Sequence, residues 1–285
     1  MLNRATSESM RCYWLIGDPI EHTMSPAMHN AAFEKLGLRY VYVPLRVKRE
    51  ELEETIKGAR ALNIRGLNVT IPHKVAVIPF LDELDGLARK IGAVNTIVND
   101  DGTLTGYNTD AIGFLQALAE RGIEPEGKRV LILGAGGAAR AISFILAEKG
   151  ANLAILNRTL DRARECADMI PEGGVSALEL NKRNLAEALE KADIVVNATS
   201  AGMSPNVDET LVASTFIKPS HVVFDIVYNP IKTRLLWEAE EAGAKTVSGL
   251  DMLLWQGALA FEKWTGLKAP VQLMRSEIIK GLTRS

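Results

Sequence analysis

Gly134, Gly136 and Ala139 stand in G-x-G-x-x-A register within Val130-Leu-Ile-Leu-Gly134-Ala-Gly136-Gly137-Ala-Ala139-Arg140. At that spacing the first glycine permits a tight turn from strand to helix. The second lets the backbone approach a pyrophosphate, and the small third residue lets helix and strand pack closely. The N-terminus of the following helix offers free N–H groups and partial positive charge to such an anion. Glycines also serve ordinary turns. The setting gives this triplet its meaning: an apolar strand precedes it, a helix follows, and a second strand ends at Leu156.

After Leu156 comes Asn157-Arg158-Thr159, with Arg162 one helical turn beyond Arg158. An Asp or Glu at this point would bond the free ribose diol of a dinucleotide. Two guanidinium groups and small polar donors instead suit a ribose 2′-phosphate, which arginine grips in a bidentate manner. The same arginines also read as a solvated helix face.

A second polar constellation lies earlier in the chain. Asn68-Val-Thr70-Ile-Pro-His-Lys74 follows strand residues, Gly92-Ala-Val-Asn95-Thr96 opens a hairpin, and Gly106-Tyr-Asn-Thr-Asp110 closes it before a helix. On a parallel sheet such strand ends meet at the carboxyl edge, where ligands bind. Each residue also has an ordinary reading: Lys74 on a surface, Asn95 in a turn, Asp110 as a helix cap.

These residues need elements to hold them. Cys12–Ile16 reads as a short buried strand, Ser25-Pro26 as a cap with proline opening a helix to Gly37, and Tyr40–Val47 as a second strand. Arg49–Leu62 has helical periodicity and Leu67–Thr70 is strand-like. Ala93–Val98 and Thr103–Tyr107 flank the hairpin turn Asp100-Asp101-Gly102. Ala111–Arg121 reads as a helix leaving this unit. The alternation then restarts: strand Arg129–Leu133, helix Gly137–Lys149, strand Leu153–Leu156, helix Asn184–Lys191, strands Asp193–Ala198 and Val222–Val227, helix Thr233–Ala242 and strand Lys245–Val247. Helical patterns at Leu250–Trp264 and Val271–Leu282 follow. Such alternation predicts an α/β fold on mostly parallel sheets.

A chain of 285 residues is long for one core, so two domains are expected. A net charge of −2 leaves no broad basic face for nucleic acid. No apolar run is long enough to span a membrane. Met1–Arg11 carries Arg4, Glu8 and Arg11 without an apolar core, which is not the pattern of a signal peptide. Cys12 and Cys166 are isolated and suit a reducing compartment, and His22, His29, His73 and His221 form no metal pattern, so no metal and a cytoplasmic location are expected.

Taken together, these segments resemble the shikimate dehydrogenase family, whose motifs read Ser-x-Ser-Pro, Asn-Val-Thr-x-Pro-x-Lys, Gly-Ala-Val-Asn-Thr and Asn-Thr-Asp. Asn197-Ala-Thr199-Ser-Ala-Gly202-Met203, Asp225-Ile-Val-Tyr228-Asn-Pro230 and Gly249-Leu-Asp-Met-Leu-Leu-Trp-Gln256 continue the likeness, in order, from Gly17 to about Gly266. The resemblance implies a substrate domain of residues 1–110 plus 249–285, a Rossmann-like NADP-binding domain of residues 111–248, and an active site in the cleft between them. It implies reversible reduction of 3-dehydroshikimate to shikimate with NADPH, on the route to the aromatic amino acids. It assigns Lys74 and Asp110 to catalysis. Thr70, Asn95, Asp110, Tyr228 and Gln256 would hold the ring hydroxyls, with Thr23 and Ser25 on the carboxylate. Gly134, Gly136, Gly137, Ala138, Asn157, Arg158, Thr159, Arg162, Thr199, Met203, Ile226, Gly249 and Met252 would line the cofactor. Thr23 departs from the family's serine by one methyl group, which puts discrimination against quinate in question. A dual quinate/shikimate enzyme is therefore the nearest alternative, and a non-catalytic sensor of shikimate or NADP a more distant one. The family includes monomers and homodimers.

Overall fold

The computed structural model describes residues 10–21, 23–170 and 175–284. His22 and most of the Met1–Arg11 segment, on which the signal-peptide reading bears, lie outside the described residues. The first part runs β1 (Arg11–Gly17), α1 (Ser25–Lys35), β2 (Tyr40–Arg46), α2 (Leu52–Ala61), β3 (Gly66–Val69), β4 (Glu83–Leu84), α3 (Gly86–Ile91), β5 (Thr96–Asp100) and β6 (Thr103–Tyr107). These strands form one six-stranded sheet in the order β2-β1-β3-β5-β6-β4. Only the β5 pairings, to β3 and β6, are antiparallel.

Helix α4 (Asp110–Glu120) leads to a second alternation: β7 (Arg129–Leu133), α5 (Gly137–Glu148), β8 (Asn152–Asn157), α6 (Leu160–Asp168), β9 (Val175–Glu179), α7 (Lys182–Lys191), β10 (Ile194–Asn197), β11 (Val222–Asp225), α8 (Arg234–Glu241) and β12 (Lys245–Ser248). Its sheet is wholly parallel, in the order β12-β11-β10-β7-β8-β9. Strand order reverses at β7, the doubly wound arrangement whose switch point opens a ligand crevice. The chain ends with α9 (Gly249–Thr265) and α10 (Val271–Arg284). The expected two-domain α/β architecture is what the chain adopts.

Period-two alternation explains how both sheets are covered. On β1, Tyr13 and Leu15 join a core with Met28 and Phe33 of α1, Phe261 and Trp264 of α9, and Met274 and Ile278 of α10. Ile16 faces the other way, with Leu52 and Ile56 of α2. In the second sheet Val130 and Ile132 face α4 and α5, while Leu131 and Leu133 face α7 and α8.

Three local readings need correction. Ser25 does not cap α1: Met24 holds that position without a side-chain bond, and Ser25 is the first helical residue, buried beside Tyr42. Asp110 likewise begins α4, with Thr109 at the cap position. The strand expected from Ala93 begins at Thr96, because the backbone of Val94 turns aside and donates to the Lys74 carbonyl at 2.7 Å. The Asp101-Gly102 turn is as expected: both residues have positive φ, 46° and 100°, between paired Asp100 and Thr103. That combination gives the twist a two-residue hairpin requires.

Candidate active site

Lys74 sits in the turn after β3, and Asp110 opens α4 just after β6. Both strands end at the same edge of the first sheet. Lys74 Nζ lies 2.5 Å from Asp110 Oδ2, with side chains only 14% and 5% exposed. A charge-assisted bond shielded from water to that degree holds the ammonium in one place. Asn95 Nδ2 donates to the other carboxylate oxygen at 2.9 Å and is also 2.9 Å from Thr109 Oγ1. Asn95 Oδ1 accepts from the Thr109 N–H at 2.7 Å, which fixes the amide. Gln256, from α9, places Oε1 3.3 Å from Asn95 Nδ2. Lys74, Asp110, Asn95 and Gln256, all named from sequence, therefore form one connected group.

Two residues assigned no role from sequence support that group. Asn68 Nδ2 donates to the Asn95 carbonyl and to Thr96 Oγ1, each at 3.1 Å, and Tyr42 donates its hydroxyl to Asn68 Oδ1 at 2.7 Å. Tyr42 occupies an ordinary strand position and carries no polar signature in sequence. Ser25 lies beside Tyr42 and Thr23 beside Tyr228, and the Ser25 N–H donates to Thr23 Oγ1 at 3.3 Å. Thr70 shares the Lys74 turn, and its hydroxyl has no side-chain partner among the described residues. Lys74, Asp110, Asn95 and Gln256 thus present ammonium, carboxylate and amide groups at one locus, chemistry able to hold a polyhydroxylated ligand.

The glycine-rich turn lies directly alongside. Gly134 adopts φ +108°, and a Cβ there would stand 2.9 Å from the Ala198 carbonyl oxygen and from the Thr199 methyl. Only glycine combines that conformation with that clearance. Gly136 caps α5 without a side chain and has open space where its Cβ would be. The first N–H groups of α5, around Gly137 and Ala138, are therefore free for an anion. At the end of β8, Asn157 Nδ2 bonds the Thr159 carbonyl at 2.9 Å and shapes the turn. Arg158, Thr159 and Arg162 are exposed, and neither arginine has an ion-pair partner among the described residues. Unengaged guanidinium groups beside a turn with no carboxylate fit a 2′-phosphorylated dinucleotide.

Thr199, exposed Met203 and half-buried Ile226 lie on the loops after β10 and β11. Gly249 has a separate packing reason: a Cβ would fall 2.2 Å from the Ile226 carbonyl oxygen. Met252 is buried in the core beneath β7 and α4.

Asp225, at the end of β11, ties these loops together. Its carboxylate accepts from Asn197 Nδ2 at 2.9 Å, the Val227 N–H at 3.0 Å and Thr233 Oγ1 at 2.6 Å. Asn197 in turn accepts from the Thr199 hydroxyl at 2.6 Å. Burial pushes the Asp225 carboxyl up to about 6, against the three hydrogen bonds that favour its charged form. A folded-state value above the unfolded one favours the fold most at low pH, and that contribution is lost as pH rises through about 6. Asp225→Asn should therefore be more stable than the wild type at pH 8, by about 2–3 kcal/mol at most, with the difference shrinking as pH falls from about 6 to about 4. Urea melts at both pH values test this; a variant equally destabilised at both would refute it.

Similarity to known proteins agrees with this geometry. Residues 15–97 match the shikimate dehydrogenase substrate binding domain, 117–233 match shikimate / quinate 5-dehydrogenase, and 249–279 match the shikimate 5′-dehydrogenase C-terminal domain. The chain is 53% identical over 274 residues to the shikimate dehydrogenase (NADP(+)) of Methanopyrus kandleri, with 94% of each chain covered. Shikimate 5-dehydrogenase from Thermus thermophilus, solved with NADP(H) and shikimate, is 40% identical, with a TM-score of 0.86 over 96% of this chain and 100% of the other. Quinate dehydrogenase from Corynebacterium glutamicum, solved with NAD, is 33% identical, with a TM-score of 0.87 over 95% of this chain and 99% of the other. Backbone shape alone does not separate these activities; side chains must.

Proposed function

This chain belongs to the shikimate dehydrogenase family, and we propose from that premise that its Lys74–Asp110 pair carries the reversible reduction of 3-dehydroshikimate to shikimate with NADPH. Residues 1–110 with 249–285 form the substrate domain in this reading, and 111–248 the NADP domain. Each sheet has a core of its own on one face, which supports that division, while a further core joins Ile91, Ala93 and Met252 to α4, α5 and the second sheet across the boundary. The carrying observation is the 2.5 Å Lys74–Asp110 contact, held by Asn95 beside the glycine-rich turn.

NADPH, when bound, supplies the hydride. The α5 N-terminus would hold its pyrophosphate, and Arg158 and Arg162 its 2′-phosphate. As negative charge develops on the ketone oxygen, the Lys74 ammonium stabilises it and delivers the proton. Asp110 aims the ammonium and accepts from the neighbouring hydroxyl, while Asn95 fixes Asp110. In the oxidative direction Lys74 takes the proton back. Thr23 and Ser25 would anchor the carboxylate, with Thr70, Tyr228 and Gln256 on the remaining hydroxyls. The enzyme serves aromatic amino acid synthesis.

Quinate oxidation with NAD is the rival reading, and the protein of that activity shares the fold. Arg158 and Arg162 in place of a carboxylate oppose NAD. Against quinate stands Thr23: quinate carries an extra hydroxyl on a tetrahedral carbon next to the carboxylate, where the Thr23 methyl crowds it. One methyl discriminates by roughly 1–3 kcal/mol, and a hydroxyl left without a partner adds a similar cost. A matrix of NADP or NAD against shikimate or quinate tests the assignment. Thr23→Ser should keep shikimate oxidation and raise quinate oxidation slightly, whereas Thr23→Val should impair shikimate oxidation because the methyl stays but the hydroxyl that would donate to the carboxylate is lost. Wild-type oxidation of quinate as efficient as that of shikimate would overturn the crowding argument.

A further inference from the structure

Lys74 is held at three points, and one of them belongs to the other sheet. Its carbonyl accepts from the Val94 N–H at 2.7 Å, and its ammonium meets Asp110. Its aliphatic stem lies on Gly137, the first residue of α5: a Cβ at that glycine would stand 2.9 Å from Lys74 Cβ, 3.1 Å from Cδ and 3.4 Å from Cγ. Neighbouring Gly136 differs, since a Cβ there would meet nothing within 4 Å.

We infer that Gly137 is a positioning residue for Lys74, and that its missing side chain serves the reacting lysine rather than the dinucleotide phosphates. The direction of the absent Cβ carries this: it points at Lys74, not into open space above the helix N-terminus. The closest approach is to Lys74 Cβ, which no change of rotamer moves. An alanine at 137 therefore displaces the backbone of one sheet's loop from the other's helix, and the Nζ–Asp110 geometry with it. A misplacement of about 1 Å at a reacting group can cost about 10²-fold. Gly137 has an unremarkable φ, so no backbone requirement accounts for the glycine.

The inference rests on Lys74 acting at the carbonyl, as proposed above, and the test separates the two. Wild-type oxidation of shikimate with NADP is measured first; its absence would sink the functional reading alone. In Gly137→Ala, kcat should fall about 10-fold or more, and by a clearly larger factor than the NADPH Kd, read by cofactor fluorescence, rises. Gly136→Ala should show the reverse balance, with weaker NADPH binding as its main effect. The Gly137 assignment is overturned by unchanged kcat, or by an NADPH Kd that rises as much as kcat falls. Combining Gly137→Ala with Lys74→Gly removes the atoms it would strike. In the Lys74→Gly background the alanine should then cost nothing further in single-turnover rate. Should Gly137→Ala fail to fold, the same double variant must fold; a double variant that stays unfolded overturns the assignment too.

Discussion

Lys74→Ala should lower turnover by about 10²–10⁴-fold while leaving NADPH affinity nearly intact. That range corresponds to roughly 3–5 kcal/mol of lost transition-state stabilisation. The expectation follows from place and partner: the ammonium is the cationic donor at the edge of the first sheet where substrate groups converge, and it is pinned 2.5 Å from Asp110. Nothing else in that cluster can replace it, because Asn95, Gln256 and Thr70 are neutral. Asp110→Asn should also lose turnover, and the double substitution should cost far less than the product of the two, since one group acts through the other. Steady-state rates with shikimate and NADP, alongside NADPH binding, check this. Near-normal turnover of folded Lys74→Ala would remove the mechanism.

Arg158→Ala should weaken NADP far more than NAD. Arg158 is exposed and unpaired among the described residues, so its removal leaves no buried charge stranded and no fold contact broken. Charge-assisted hydrogen bonds are worth about 1.5–3 kcal/mol, so the NADP constant should rise about tenfold to a hundredfold. NAD, which lacks the 2′-phosphate, should scarcely notice. The effect should also shrink as salt is raised, as an exposed charge contact must. Equal losses for both cofactors would place Arg158 against the adenine or in the fold instead.

How far residue types alone lead can be seen at particular positions. Gly134 and its flanking strand and helix are readable because the turn demands a conformation that only glycine adopts freely, and the structure gives φ +108°. The Asp101-Gly102 hairpin is readable for the same kind of reason. The Lys74–Asp110 pairing is not, because the two residues stand 36 apart with three strands between them; only resemblance to a known family joins them. Tyr42 escapes notice, and Asn68, though part of a polar strand end, gains no role of its own, because both depend on which strands are neighbours. Tyr42 reaches Asn68 across β1, and Asn68 meets Asn95 only because β5 runs antiparallel to β3. Asp225 and Asn197 likewise meet through strand register. Ser25 misleads because Ser-Pro is a common helix opening, and here Ser25 is already inside the helix and buried, with Met24 at the cap position. Short β4 and edge strand β9 leave too little apolar pattern to detect.

The cover of the first sheet has a consequence for how the chain acquires its structure. Tyr13, Leu15, Met28 and Phe33 find their partners in Leu254, Phe261, Trp264, Met274 and Ile278. More than two hundred residues separate the two groups, and the whole second sheet is threaded between them. On a ribosome, the inserted unit from β7 to β12 emerges as one continuous stretch and can close its core while still attached. The unit begun first must wait, with one face of its sheet covered only by α1, until α9 and α10 have left the exit tunnel. The half made earliest is thus the half completed last, and its partly covered aromatic face is where a nascent chain of this protein is most open to chaperones and to aggregation.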